Sequence, residues 1–170
     1  MVKLNLSSQI VLNKVPEEFY HPKTAVELSE LTRCEKLPTT IFPKTEEGAL
    51  SIATTIANAI RQKQQSGQYC VLGLGTGSSL TPVFNELIRL HKEEKLSFSN
   101  VVVFNAYEYF PLQPSAKNST LNQLKERLLN HIDINPQNVF TLEGTVPQER
   151  VQESCRLYEQ RIQSFGGIDI

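Results

Sequence analysis

Residues 70–79, Cys-Val-Leu-Gly-Leu-Gly-Thr-Gly-Ser-Ser, constrain the fold of this chain more than any other stretch. A short apolar run enters a loop of glycines and hydroxyl residues, and Thr81-Pro82 then opens an amphipathic segment carrying Val83, Leu87 and Leu90. Proline suits the first turn of a helix, where a missing N–H costs nothing. The expected unit is a buried strand, a tight loop and a helix. That order aims backbone N–H groups and the positive end of a helix dipole at one point, which suits a phosphate. About thirty residues on, Val101-Val102-Val103-Phe104-Asn105-Ala106-Tyr107-Glu108-Tyr109 repeats the theme. Its β-branched start reads as a strand buried on both faces, as in a parallel sheet. Its polar end should emerge at the same sheet edge as the glycine loop.

The remaining pattern extends this unit in both directions. A helix is expected over about 46–66, with Thr45 as cap, Glu46 and Glu47 in its first turn, and Leu50, Ala53, Ala57 and Ile60 inward. The first strand is expected over 69–74. Leu121, Leu124 and Leu128 mark a helix after the polar loop 111–119, and Val139-Phe140-Thr141 a short third strand. Thr145-Val146-Pro147-Gln148 matches a capping box, followed by a helix carrying Val151, Cys155, Tyr158 and Ile162 that Gly166-Gly167 ends. Strands alternating with helices predict an α/β fold, a doubly wound parallel sheet with helices on both faces and right-handed crossovers. Ile168-Asp169-Ile170 looks like the start of a fourth strand. The chain is therefore expected to be a truncated portion of a longer protein, since an open apolar edge is a liability.

Residues 1–44 lack sustained periodicity and are punctuated by Pro16, Pro22, Pro38 and Pro43. They read as an extended arm with a short helix near 24–32, packed on the body or on a partner subunit. Residues 45–170 are expected to form the N-terminal part of the α/β domain. A net charge of −1 gives no basic surface for nucleic acid, and no apolar run approaches the length of a membrane span. The N-terminus lacks the apolar core of a signal peptide. Cys34, Cys70 and Cys155 are odd in number and widely spaced, so neither a disulfide framework nor a zinc site is indicated. A cytoplasmic protein is the expectation, with Cys70 a small buried apolar residue.

Four motifs fall in a telling order: 73–79 Gly-Leu-Gly-Thr-Gly-Ser-Ser, 104–109 Phe-Asn-Ala-Tyr-Glu-Tyr, 131–134 His-Ile-Asp-Ile and 166–170 Gly-Gly-Ile-Asp-Ile. From about residue 36 to the end, the chain resembles the glucosamine-6-phosphate deaminases (isomerases), and is most similar to their longer Bacteroidetes versions, in which a deacetylase-like domain follows. The resemblance implies a Rossmann-like fold and conversion of glucosamine 6-phosphate and water into fructose 6-phosphate and ammonia. It implies a sugar phosphate as the partner, held by Gly75, Thr76, Gly77, Ser78 and Ser79. Short hydroxyls and N–H groups at a helix start suit that role. It also implies a homo-oligomer, and no metal or redox cofactor, since acid–base groups suffice for the reaction.

Three departures from the family pattern bear on activity. The second strand normally ends in Phe-Asn-x-Asp-Glu-Tyr, whose aspartate shuttles the proton between C1 and C2. Tyr107 stands at that position, and a phenol, with a reference pKa of about 10, is a poor base at neutral pH. Losing a positioned general base costs roughly a hundred- to ten-thousand-fold in rate. Leu80 replaces the proline that usually follows the phosphate loop. The family's later Asp-Gly-His motif and basic residues do not occur in 1–170, and His21, His91 and His131 do not match them. Tyr107 then reads either as a substitute acid or stacking group, or as a residue in a site that has lost its chemistry. Glu108 is a candidate replacement base, although adjacent strand positions face opposite ways. Asn105 is expected to hydrogen-bond at the strand end, His91 to be solvated, and His131 to cap a helix C-terminus. The expected function is that of a deaminase/isomerase-like protein, inactive in this portion. The alternative is a non-catalytic sugar-phosphate-binding or oligomerisation domain of a longer protein. The related gluconolactonase branch fits less well, because its usual Asp-Glu-Arg is Tyr107-Glu108-Tyr109 here.

Overall fold

The computed structural model describes residues 22–34 and 39–170 and divides the chain into two units, 1–48 and 49–170. Of the arm expected over 1–44, residues 1–21 and 35–38, with Pro16, His21 and Pro38, lie outside the described residues. In the first unit, α1 (Ala25–Thr32) closes through a capping box. The Thr24 hydroxyl accepts from the Glu27 N–H at 3.1 Å, and the Glu27 carboxylate accepts from the Thr24 N–H at 3.2 Å.

Helix α2 (Thr45–Gln65) starts at Thr45, which is its first residue and not the cap before it. The second unit is built on a parallel three-stranded sheet in the order β1 (Cys70–Leu74), β2 (Val101–Asn105), β3 (Val139–Phe140). Cys70 pairs with Val101 and Leu74 with Asn105, while Val103 and Phe104 pair with Val139 and Phe140. The period of two then sorts side chains between two cores. Cys70, Leu72, Leu74, Val101 and Val103 face α2, α3 (Thr81–Glu94) and α4 (Thr120–Arg127). Val71, Val102 and Phe104 face α5 (Val151–Ser164). Helices therefore cover both faces, as a doubly wound sheet requires.

Local chemistry explains the boundaries. Ala49, Ala53 and Ala57 repeat every four residues and let α2 lie close on the sheet, with Ile56 and Ile60 beside them. Leu50, expected inside, sits one step round the helix and is exposed. Gly67 stops α2 at φ +66°, the left-handed turn that glycine adopts freely. On α3, Phe84 joins Val83, Leu87 and Leu90 in the core. The capping box expected at Thr145–Gln148 does not form. A 3₁₀ turn over Gln148–Arg150 precedes α5, and the Thr145 hydroxyl donates to Glu143 instead.

On α5, Tyr158 and Ile162 pack inward with Phe165, whereas Cys155, expected inside, is exposed. The Tyr158 hydroxyl donates to the carbonyls of Asn105 and Phe140, at 2.9 and 3.0 Å, and so ties the helix to two strands. Burial pushes its phenol up from the ordinary range.

After Gly166 and Gly167, both at positive φ, residues 168–170 run beside β1 on the edge away from β2. The Asp169 N–H donates to the Val71 carbonyl at 2.8 Å, and the Gly73 N–H to the Ile170 carbonyl at 2.8 Å. The Asp169 carboxylate accepts from the Val71 N–H at 2.9 Å and pairs with Lys63 at 2.7 Å. An extended segment outside the three-stranded sheet thus lies beside β1 where the sequence predicts a fourth strand. Ligands of open α/β sheets bind outside the carboxyl ends of the strands.

One surface expectation changes. His91 is half-buried: its Nδ1 donates to the Leu96 carbonyl at 2.7 Å and its ring packs edge-on to Phe98. Glu93 and Glu94 both pair with Arg89. His131 does act at a helix end, its Nε2 donating to the Glu126 carbonyl in the last turn of α4.

Candidate functional site

The carboxyl ends of β1 and β2 carry the residues singled out from the sequence. β1 ends at Leu74, whose carbonyl accepts from the Ala106 N–H at 2.8 Å and extends the ladder into both loops. The loop 75–77 then turns into a 3₁₀ segment, Ser78–Leu80, that runs straight into α3. The loop divides sharply by accessibility. Thr76 is 5% exposed, while Gly77, Ser78 and Ser79 face solvent. The amides of Gly77, Ser78 and Ser79 have no acceptor among the described residues, and neither do the hydroxyls of Ser78 and Ser79. Free N–H groups at the head of a fourteen-residue helix, flanked by free hydroxyls, can receive the oxygens of an anion.

Thr76, predicted to be a phosphate ligand, is instead held inside the protein. Its hydroxyl lies 3.3 Å from the Tyr107 hydroxyl, and its carbonyl accepts from Arg127 Nη1 at 2.8 Å. The Tyr107 ring packs over Gly75, where an added Cβ would stand 3.4 Å from the ring edge. Tyr107 therefore bridges the two strand ends and remains 41% exposed. Tyr109 packs edge-on to it at 6.2 Å, and Phe110 is also exposed.

Glu108 points away from Tyr107, as the alternation predicts. Its carboxylate accepts from the N–H groups of Tyr109, Thr120 and Leu121 and from the Ser119 hydroxyl. Partial burial pushes the carboxyl up, but these bonds outweigh it and hold Glu108 below the ordinary carboxylate range. The group anchors the N-terminus of α4 through three of these bonds and takes the fourth from its neighbour Tyr109. Asn105, fully buried, donates from Nδ2 to the Thr120 hydroxyl at 2.7 Å, which in turn donates to the Tyr107 carbonyl. Asn105 thus fixes the strand end through α4.

The structure brings Gly75–Ser79, Asn105, Tyr107 and Glu108 to one sheet edge. Three participants escaped the sequence reading. Ser119 and Thr120 carried a visible signal, a hydroxyl pair directly before an apolar helix. Arg127 carried none, because only the fold brings it to Thr76, fifty-one positions away.

The sequence pattern of the family described as glucosamine-6-phosphate isomerases/6-phosphogluconolactonase matches residues 43–170. The chain belongs to this family. A glucosamine-6-phosphate deaminase-like protein of Bacteroides thetaiotaomicron is 57% identical over 169 residues, which is 99% of this chain and 26% of that protein. Glucosamine-6-phosphate deaminase 2 of Giardia intestinalis is 40% identical over 127 residues, 75% of this chain and 46% of that one. Among solved structures, a monomeric glucosamine-6-phosphate deaminase superposes with a TM-score of 0.69 at 34% identity, covering 74% of this chain and 50% of its own. The 6-phosphogluconolactonase of Thermotoga maritima, at 19% identity and a TM-score of 0.55, covers 69% of this chain and 50% of its own, and shares the fold. The chain spans about half the length of most of the curated relatives it matches, and about a quarter of the Bacteroides protein.

Proposed function

We propose that this chain binds a sugar phosphate of the glucosamine 6-phosphate class through Gly77, Ser78 and Ser79, and that it does not itself perform the deamination implied by the family resemblance. The observation that carries the reading is the pairing of an open anion cradle with a closed catalytic position. The cradle has free amides and hydroxyls at the head of α3. At the position of the family base stands Tyr107, whose hydroxyl is turned onto Thr76. Abstracting a proton from the carbon next to a carbonyl needs a base of suitable strength within hydrogen-bond reach. Glu108 cannot supply it without releasing α4, because three of its four bonds run to the head of that helix. Tyr107, Tyr109 and Phe110 offer aromatic faces on which a sugar ring can stack. The free, exposed thiols of Cys34 and Cys155 suit a reducing compartment, so a cytoplasmic location is part of this reading. Among the described residues, no helix is long and apolar enough to cross a membrane.

The test is an ammonia-release assay on glucosamine 6-phosphate, run beside a binding titration with the same compound. We expect binding at millimolar ligand with no ammonia above background. Turnover at the rate of an ordinary deaminase would overturn the non-catalytic assignment. An absence of binding would overturn the sugar-phosphate assignment.

A further inference from the structure

We infer that Arg127 is a positioning residue for the anion cradle, acting through the peptide between Thr76 and Gly77. The inference rests on the phosphate reading above and adds a residue that the sequence motifs do not include. Arg127 ends α4, and its half-buried guanidinium donates from Nη1 to the Thr76 carbonyl at 2.8 Å. It forms no ion pair with a carboxylate among the described residues. A half-buried cation is thus spent on one backbone carbonyl, and that carbonyl belongs to the loop whose amides are free.

The geometry of the peptide group gives this contact its consequence. The Thr76 carbonyl and the Gly77 N–H belong to the same planar unit, which is trans. In a trans peptide the two groups point in opposite directions. Fixing the carbonyl on Arg127 therefore fixes the Gly77 N–H on the other side, outward from α4. A cation on the oxygen also draws electron density along the unit and strengthens the N–H as a donor. Glycine at 77 would otherwise leave this peptide free to rotate, because φ and ψ of glycine are the least restricted of any residue. Its observed values, φ −57° and ψ 148°, are ordinary for any residue, so the neighbours and not the backbone must hold it. The Tyr107 hydroxyl holds Thr76 as well, at its side-chain hydroxyl. Thr76 is held at two atoms while its three successors stay open.

The test uses the full 170-residue chain and inorganic phosphate as the probe, followed by amide shifts. Arg127→Met keeps the packed stem and removes the donors, and Arg127→Lys restores a cation and a donor. We expect Met to weaken phosphate binding about tenfold, the scale of one hydrogen bond to a charged group. Lys should recover most of that loss. In the ligand-free protein, Met should shift the Gly77 amide resonance and speed its hydrogen exchange, with core amides such as Val102 unchanged. That local pattern separates positioning from a general loss of fold, and the Lys variant preserves the test should Met unfold the chain. Wild-type phosphate binding at 77–79 with equal affinity in both variants would overturn the role of Arg127 and leave the cradle standing. Failure of the wild type to bind at 77–79 would overturn the cradle and this role together.

Discussion

At the scale of single residues, the site is defined by which polar atoms are occupied. Thr76, Tyr107 and Glu108 are all engaged within the protein, whereas Ser78 and Ser79 are free. The occupied carboxylates set a pH dependence. Glu108 and Asp169 both sit below the ordinary carboxylate range, Glu108 through its four donors, Asp169 through Lys63 and the Val71 N–H, in each case against the upward push of burial. A depressed folded-state pKa contributes stability that is present above the unfolded value of about 4 and lost as pH falls through the folded value. We therefore predict that thermal stability is flat from pH 7 to about pH 5 and falls in acid. Glu108→Gln should be less stable at pH 7 and show a shallower acid limb, measured by circular dichroism melts across pH. An acid limb of unchanged steepness in the variant would mean that the helix anchor carries little of the linkage. Cys70 behaves oppositely: burial first, then the nearby Asp169 charge, pushes its thiol up to about 11, so it stays protonated and inert.

At the scale of elements, α4 and α5 do different work. Helix α4 receives Glu108 at its head and sends Arg127 to the loop from its tail, so it links the two strand ends that make the site. Helix α5 covers the other face with no buried residue of its own and relies on Tyr158 to fix it. Tyr158→Phe leaves two strand-end carbonyls without that donor and should cost about 1–2 kcal/mol in chemical denaturation. A change below a few tenths would show that packing against Phe104 and Phe140 holds the helix without the hydroxyl. Most of these elements were legible in the sequence, for reasons that can be named. Val101–Val103 could be nothing but a buried strand, and Gly67 and Pro82 marked helix ends through backbone chemistry. The faces were less legible. Leu50 and Cys155 repeat at helical spacing, but a line of alanines and a lone tyrosine won the inward positions, because close approach and hydrogen bonding outweighed apolar character. In the site, the loop and the tyrosine substitution were readable, while the direction of Thr76 and the reach of Arg127 depended on tertiary placement.

At the scale of the molecule, the sheet joins an open cradle to a thinly covered face. Leu157, Ile168 and Ile170 are 42–49% exposed around α5 and the extended segment 168–170. Residues 168–170 use their inner side on β1, and an unpaired extended backbone beside exposed apolar side chains favours pairing with another chain. We predict that the 170-residue chain is folded and self-associates, with a sedimentation coefficient that rises over a concentration series. A strictly monomeric species throughout, with cooperative unfolding, would contradict this. The central claim is that a sugar phosphate sits at the head of α3, and residue-resolved amide NMR tests it most directly. Glucosamine 6-phosphate is titrated into the labelled chain, with unphosphorylated glucosamine as the control. The account predicts that the largest shifts fall on Gly77, Ser78 and Ser79, with smaller ones at Tyr107 and Tyr109, and that the control leaves 77–79 unmoved. Largest shifts elsewhere, equal shifts from glucosamine, or none at millimolar ligand would contradict it.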